Sequence, residues 1–67
     1  MDNIEKARIR MEKWISHHEH HLKDYKTFAA ELREYGEIRS AANILEMVEL
    51  MSKSQDCLRN ALKALDE

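Results

Sequence analysis

The sequence has no proline, one glycine, one tryptophan, one phenylalanine and two tyrosines, and these scarcities restrict the fold. Sheet proteins use aromatic and β-branched residues in their strands, and glycine and proline in their frequent turns. Alanine, leucine, glutamate, lysine, arginine and methionine dominate here instead, which is typical of long helices. At 67 residues, the chain is predicted to form a single all-α domain.

Cysteine is also scarce, because Cys57 is the only one. A single thiol cannot form an internal disulfide, and without a CxxC pair it cannot belong to a zinc ribbon. The sequence therefore excludes a disulfide-stabilised scaffold, and we interpret Cys57 as an incidental thiol.

The chain lacks charge of one sign and long apolar runs. Its 11 basic and 13 acidic residues are interspersed and give a net charge of −2, so nucleic acid is not an expected partner. No stretch of 18 apolar residues could span a bilayer, and residues 1–6 lack the apolar core of a signal peptide. We therefore expect a cytoplasmic protein that does not bind membranes.

A sevenfold repeat runs through the first half of the sequence. Two heptad positions stay apolar or aromatic over five repeats, apart from two histidines. The first position contains Ile4, Met11, His18, Tyr25 and Leu32, and the second contains Ala7, Trp14, His21, Phe28 and Tyr35. This stripe is widened on one side by Ile15, Leu22 and Ala29. The pattern predicts a helix from about residue 3 to about residue 35.

Gly36 follows where this repeat ends, as a left-handed C-terminal cap requires. A second stripe begins after it, with Ala41, Val48, Gln55 and Leu62 at one heptad position and Ile44, Met51, Leu58 and Leu65 at the other. Ser40 is a candidate N-cap, although Glu37 or Ile38 could equally begin the helix. We predict a turn over about residues 36–39 and a second helix over about residues 40–65.

Two helices joined by so short a turn form an antiparallel hairpin about 45 Å long. They cover too little of each other to bury stripes this wide, and chains below about 70 to 80 residues gain little stability from one core. We therefore predict that a second copy covers the remaining apolar surface. The expected assembly is a homodimeric four-helix bundle, because twofold symmetry is the commonest arrangement of soluble oligomers.

All four histidines lie within residues 17–21, in the middle of the first predicted helix. The heptad count turns His18 and His21 inward, places His17 beside them and leaves His20 on the outer side. The pair His17 and His21 and the pair His18 and His21 are each one helical turn apart. Neutral imidazole suits Ni, Cu, Zn and Fe, so these histidines are the candidate metal ligands.

Antiparallel pairing also places polar residues of the two stripes opposite each other. Facing residue numbers should sum to about 73 to 75, which sets His18 opposite Gln55 and His21 near Ser52 or Ser54. Unpaired buried polar groups cost about 1 to 3 kcal/mol each, so His18, His21 and Gln55 are predicted to form one hydrogen-bonded polar layer. Such a layer could serve only to specify register and oligomeric state, as a buried asparagine does in coiled coils.

Catalysis is not expected. His18 and Glu19 are followed by Leu22 where the metalloprotease motif HExxH requires its second histidine. No serine or cysteine lies one turn from a histidine with a third group to orient it, and a narrow hairpin offers no sizeable cleft.

Residues 14–21 (WISHHEHH) and residues 51–62 (MSKSQDCLRNAL) resemble a known family. It is the family of small helical-hairpin nickel-binding domains of the CooJ type, nickel chaperones accessory to carbon monoxide dehydrogenase. The resemblance extends from about Arg10 to Leu65. It implies a dimer that binds Ni(II) at its interface through two motif histidines beside a tryptophan ring.

The motif of that family is His-Trp-x-x-His, often with another histidine four residues later. Trp14 matches the tryptophan, His17 the second histidine and His21 the downstream one. Lys13 occupies the place of the first histidine, and lysine is protonated near neutral pH and is a poor ligand. Either the dimeric scaffold remains without a site, or coordination falls to the other histidines, namely His18, His20 or His21.

The sequence thus predicts a non-enzymatic protein of metal handling or delivery that binds Ni(II), with Zn, Co or Cu as other possible ions. The predicted ligands are His17 and His21, with His18 and His20 as further candidates. Trp14 is the predicted aromatic neighbour, whose ring could stabilise a cation. A metalloenzyme is the expected client.

The alternative is a metal-free interaction module. In that case the layer of His18, His21 and Gln55 only specifies pairing. Other helices would then dock along the side that carries Met47, Met51 and Leu58.

Overall fold

The computed structural model describes residues 2–67, which form two α-helices joined by a three-residue turn. Helix α1 spans Asn3–Glu34 and helix α2 spans Ile38–Ala64, and the described residues contain no strand. The predicted helical hairpin is confirmed. Helix α1 ends one residue earlier, and α2 begins two residues earlier, than the sequence pattern predicts. Met1, the first residue of the predicted domain, lies outside the described residues.

The start of α1 is capped by a side chain. Asp2 has an extended backbone, and its Oδ1 accepts a hydrogen bond of 2.8 Å from the backbone N–H of Glu5. The first N–H groups of a helix have no partner within the helix, so a carboxylate here satisfies one of them and also suits the positive end of the helix dipole.

The turn is a Schellman motif built on Gly36. The backbone N–H of Gly36 donates to Arg33 O at 3.0 Å, and that of Glu37 donates to Leu32 O at 2.8 Å. Gly36 has a φ of +82°, as its predicted role as a left-handed cap requires. Because α2 already begins at Ile38, Ser40 lies inside its first turn and is not the N-cap.

Replacing Gly36 with alanine should destabilise the hairpin through the backbone alone. A Cβ at this position would have no atom within 4 Å, so the cost is that of a left-handed L-residue, about 1 to 2 kcal/mol. Thermal unfolding should show the loss, whereas Gly36→Asn should lose less because asparagine tolerates this conformation. Equal losses for the two variants would contradict this explanation.

The core of the hairpin is narrow. The buried side chains are Ala29 on α1 and Ala41, Val48 and Gln55 on α2. On α2, the two predicted heptad positions do face α1, since their other members are half-buried: Ile44, Met51, Leu58, Leu62 and Leu65. The second helix therefore packs as its sequence pattern predicts.

On α1, one of the two predicted heptad positions lies largely outside the contact within the hairpin, although its members Ala7 and His21 are half-buried. The row of Met11, His18, Tyr25 and Leu32 packs toward α2 together with the row of Ile15, Leu22 and Ala29. Trp14 and Phe28 are each 48% exposed and Tyr35 is 72% exposed. The physical reason is that a single partner helix covers only one side of a stripe that is three rows wide.

Polar contacts agree with the predicted register. Arg8 Nη1 lies 2.6 Å from Asp66 Oδ1, and His18 contacts Gln55, so that facing residue numbers sum to 74 and 73. The hydrogen bond to Asp66, followed by its charge, raises the pKa of Arg8 above the ordinary value. Arg59 on α2 also pairs with Glu19 on α1. Neither of the two helices has an apolar stretch long enough to cross a membrane, within residues 2–67.

Candidate metal centre

The histidine cluster lies at the midpoint of α1, halfway between Asn3 and Glu34. His18 and His21 are half-buried, whereas His17 and His20 are exposed. The structure brings two of the four rings together, ties a third to α2 and leaves the fourth apart.

His17 and His21 form the close pair. Their Nε2 atoms are 2.9 Å apart, and the rings meet edge to face, with centroids 4.3 Å apart and planes at 88°. Between two neutral imidazoles, one Nε2–H donates to the lone pair of the other. A metal ion can replace that shared hydrogen, because it accepts both lone pairs once the donor ring has moved its proton to Nδ1.

Two aromatic residues lie one turn to either side of this pair. Tyr25 stacks on the ring of His21, with centroids 5.8 Å apart and planes at 14°. Trp14 precedes His17 by one turn and keeps half of its surface exposed. The heptad pattern indicates only that Tyr25 belongs to the apolar stripe, and the spacing of four residues between His21 and Tyr25 was the signal for their contact.

His18 is held by the second helix. The side chain of Gln55 is 2% exposed, and its Nε2 donates to the backbone carbonyl of Ile15 at 2.6 Å. A carbonyl can only accept, so the amide nitrogen of Gln55 must face it and Oε1 must face His18. His18 Nδ1–H therefore donates to Gln55 Oε1 at 3.1 Å, which leaves the lone pair on His18 Nε2.

The predicted three-residue polar layer thus consists of two residues. His18 and Gln55 contact each other, but the hydrogen bond of His21 goes to His17. Over the described part of the chain, every buried side-chain polar atom has a hydrogen-bond partner. The layer is therefore satisfied without His21, because Gln55 Oε1 accepts from His18 and Gln55 Nε2 donates to Ile15 O.

His20 lies apart from the other three rings. Its Nε2 is 3.6 Å from Asp24 Oδ2, and both side chains are largely exposed. Lys13 and Cys57 are exposed as well. In residues 2–67, no three side chains of histidine, cysteine, aspartate or glutamate come together as a possible metal site. One chain therefore presents a pair of imidazoles.

One known protein family matches most of the chain. Residues 7–65 match the family described as Domain of unknown function (DUF8180). The chain belongs to the DUF8180 family. The matched range of this DUF8180 domain includes both stripes, the turn and all four histidines. No curated protein and no solved structure matches the chain significantly.

Proposed function

We propose that this DUF8180 domain binds a divalent transition metal, with Ni(II) as the first candidate, and acts in metal handling or delivery rather than as an enzyme. The ligands are His17 and His21, near the interface of a homodimer. The observation that carries the proposal is the approach of their Nε2 atoms to 2.9 Å.

That separation suits two ligands of one ion. Imidazole nitrogens lie about 2.0 to 2.1 Å from a divalent transition metal such as zinc. At that distance, two nitrogens 2.9 Å apart subtend about a right angle at the ion. Right angles belong to tetragonal and octahedral geometries, which Ni(II) and Cu(II) favour, whereas tetrahedral zinc needs ligand atoms about 3.3 Å apart.

Two imidazoles per chain are too few for a tight site, which usually has four or more ligands. A second copy would supply two more, and this is why the proposal includes the dimer. His18 already uses Nδ1 to bind Gln55, so only its Nε2 is available as a ligand. Trp14, one turn from His17, offers a ring face that stabilises a nearby cation.

Titration of the purified protein with Ni(II), Zn(II) and Co(II) at pH 6 and pH 8 tests this function. Imidazole must lose its proton before it coordinates, so Ni(II) binding should be tighter at pH 8 and weaker at pH 6. Isothermal calorimetry measures the affinity and the proton release together. Affinity that does not change with pH would contradict imidazole coordination.

A second candidate function is the metal-free interaction module, which the His18–Gln55 contact favours. A glutamine that is 2% exposed, among the small apolar residues of the core, costs stability unless its amide is satisfied, and here both ends of the amide are bonded. Buried polar pairs of this kind fix register and oligomeric state in coiled coils. Under this alternative, other helices dock along the side of α2 that carries Met47, Met51 and Leu58, whose side chains stay partly accessible after packing against α1.

A further inference from the structure

The hairpin exposes more surface than a compact chain of its mass. Its accessible surface is 5408 Å², whereas folded monomers of 8.0 kDa average about 4,500 Å². The excess of roughly 900 Å² is close to the area of about 800 Å² that each partner buries in a stable protein interface. One further copy of the hairpin would therefore bring the exposed surface to an ordinary value.

The two broad sides of the hairpin differ in character. One side carries a groove of about 670 Å³ lined by Phe28, Leu32 and Ile44 and by the polar residues Arg39, Ser40 and Asn43, and Trp14 lies two heptads before Phe28 on the same side. We call this side, which carries the aromatic rings, the apolar face. The opposite side carries a groove lined by the charged residues Lys26, Glu46 and Glu49 and by Ala42, Leu45 and Val48, and we call it the charged face.

The ion pair between the helices assigns the charged face independently. Glu19, seven residues before Lys26, pairs with Arg59 of α2, which also contacts Asp56. Leu45 is 40% exposed there beside Lys26, Glu46 and Glu49, and Ile38, seven residues before it on α2, is 56% exposed. The apolar face carries two half-exposed aromatic rings, those of Trp14 and Phe28, so it is the face that we assign to a partner.

Two rows of exposed residues border the apolar face. The α1 rim consists of Arg10, His17 and Asp24, and the α2 rim consists of Asn43, Leu50 and Cys57. Members of each rim are seven residues apart and so lie on one line along the helix. In the α1 rim, the positively charged Arg10 lies seven residues before His17 and the negatively charged Asp24 lies seven residues after it. The α2 rim has no charged residue.

We propose that two copies pack through their apolar faces about a twofold axis that is perpendicular to the helices and passes near His17. Helix α1 then lies antiparallel to α1 of the second copy, α2 lies antiparallel to α2, and the two turns are at opposite ends. This proposal rests on the homodimer of the proposed function. It specifies which face of the hairpin forms the dimer interface and how the two copies are oriented.

The rims favour this orientation over its alternative. A twofold axis at His17 sets Arg10 opposite Asp24 of the second copy, twice. Because His17 is level with residues 56–57 of α2, the same axis sets Cys57 near Cys57 of the second copy. If the turns were at the same end, α1 would instead face α2 of the second copy. The charges of Arg10 and Asp24 would then border an uncharged rim and lose hydration without gaining a partner.

The open end of the hairpin supports the same orientation. Ile4 is 53% exposed and lies one turn before Arg8, which pairs with Asp66 just beyond the C-terminal end of α2. An axis at His17 places Ile4 level with residue 30 of the second copy. That level is the groove between Phe28 and Leu32, so the unpaired apolar side chain meets the unfilled apolar groove.

Spin-label distances measured by pulsed electron resonance test the orientation. In a Cys57→Ser background, a label at Glu37→Cys marks the turn, and a label at Lys53→Cys marks the middle of α2. The turn is about 20 residues from an axis at His17, so at 1.5 Å per residue the turn labels should be about 55 to 60 Å apart across the dimer and the middle labels below about 30 Å.

Each outcome has a separate meaning. Turn labels closer than about 25 Å would overturn the orientation and leave the dimer of the proposed function intact. No intersubunit distance at either label, with a monomer mass from light scattering, would overturn both the orientation and the dimer. Middle and turn distances as expected would support the orientation whether or not the protein binds Ni(II).

Charge reversal supplies a second measurement on the same interface. Arg10→Glu should raise the dimer dissociation constant about two- to fivefold, and Arg10→Glu with Asp24→Arg should restore it. Glu12→Lys on the charged face is the matched control and should leave it unchanged. An Arg10→Glu effect that the double variant does not reverse would overturn the pairing of Arg10 with Asp24.

Discussion

Replacing either His17 or His21 with alanine should lower Ni(II) affinity by about 100-fold or more. Loss of a residue that only supports a ligand commonly costs 10- to 100-fold, and loss of a ligand costs more. Neither substitution should change the far-UV circular dichroism or the unfolding midpoint much, since His17 is exposed and the hydrogen bond of His21 is to His17. Isothermal calorimetry on folded variants measures the effect.

His20→Ala is the matched control for this experiment. His20 lies in the same short segment, but its Nε2 is near the exposed Asp24 and not near the close pair of His17 and His21. The His20→Ala variant should therefore bind Ni(II) as tightly as the unaltered protein does. If His17→Ala and His21→Ala bind Ni(II) as tightly as His20→Ala does, the metal proposal is wrong and the interaction module takes its place.

Replacing Gln55 with alanine should cost about 2 to 4 kcal/mol of folding stability, which is enough to unfold much of so small a hairpin. The substitution leaves a cavity in the core and removes the acceptor of His18 and the donor to Ile15 O. Gln55→Leu removes the same hydrogen bonds but fills the space. Gln55→Leu should lose less folding stability than Gln55→Ala, because half-buried His18 can turn its free N–H toward water. Urea unfolding at one fixed protein concentration measures both variants.

Ser54→Ala is the control for Gln55, because Ser54 is the adjacent residue on α2 and is exposed. Its unfolding midpoint should stay near that of the unaltered protein. A Gln55→Ala variant as stable as Ser54→Ala would show that the contact with His18 does not hold the hairpin together. The two proposed functions also separate here, since Gln55→Leu should alter pairing in the interaction module but should leave Ni(II) affinity at His17 and His21 nearly unchanged.

Much of the fold could be predicted because helices repeat with a fixed period. The α2 rows that begin at Ala41 and Ile44 were predictable, because every seventh residue of a helix returns to the same side. Gly36 was equally clear, since few other residues adopt a left-handed backbone. Asp2 could have been identified as the N-cap from Glu5 three residues later, a spacing typical of helix starts, although helix ends are the least regular part of a helix.

The candidate site was only partly predictable. The spacing of His17 and His21 places them one turn apart, but their ring orientations and their 2.9 Å approach depend on side-chain torsions that no spacing specifies. The tautomer of His18, with its hydrogen on Nδ1, could not be predicted from spacing either. It depends on the orientation of the Gln55 amide, which the carbonyl of Ile15 determines. These features involve atoms from two helices and exist only after the helices have packed.

By itself, the sequence determined two amphipathic helices, a turn at Gly36 and a histidine cluster at the centre of the first helix. Only the tertiary structure decided which side of α1 the second helix covers, so that Ile15, Leu22 and Ala29 pack inward while Trp14 and Phe28 stay exposed. The reason is geometric. A heptad repeat states which residues share a line along a helix, but a stripe three lines wide can accept a partner on either side, and the choice depends on how both helices fill the space between them.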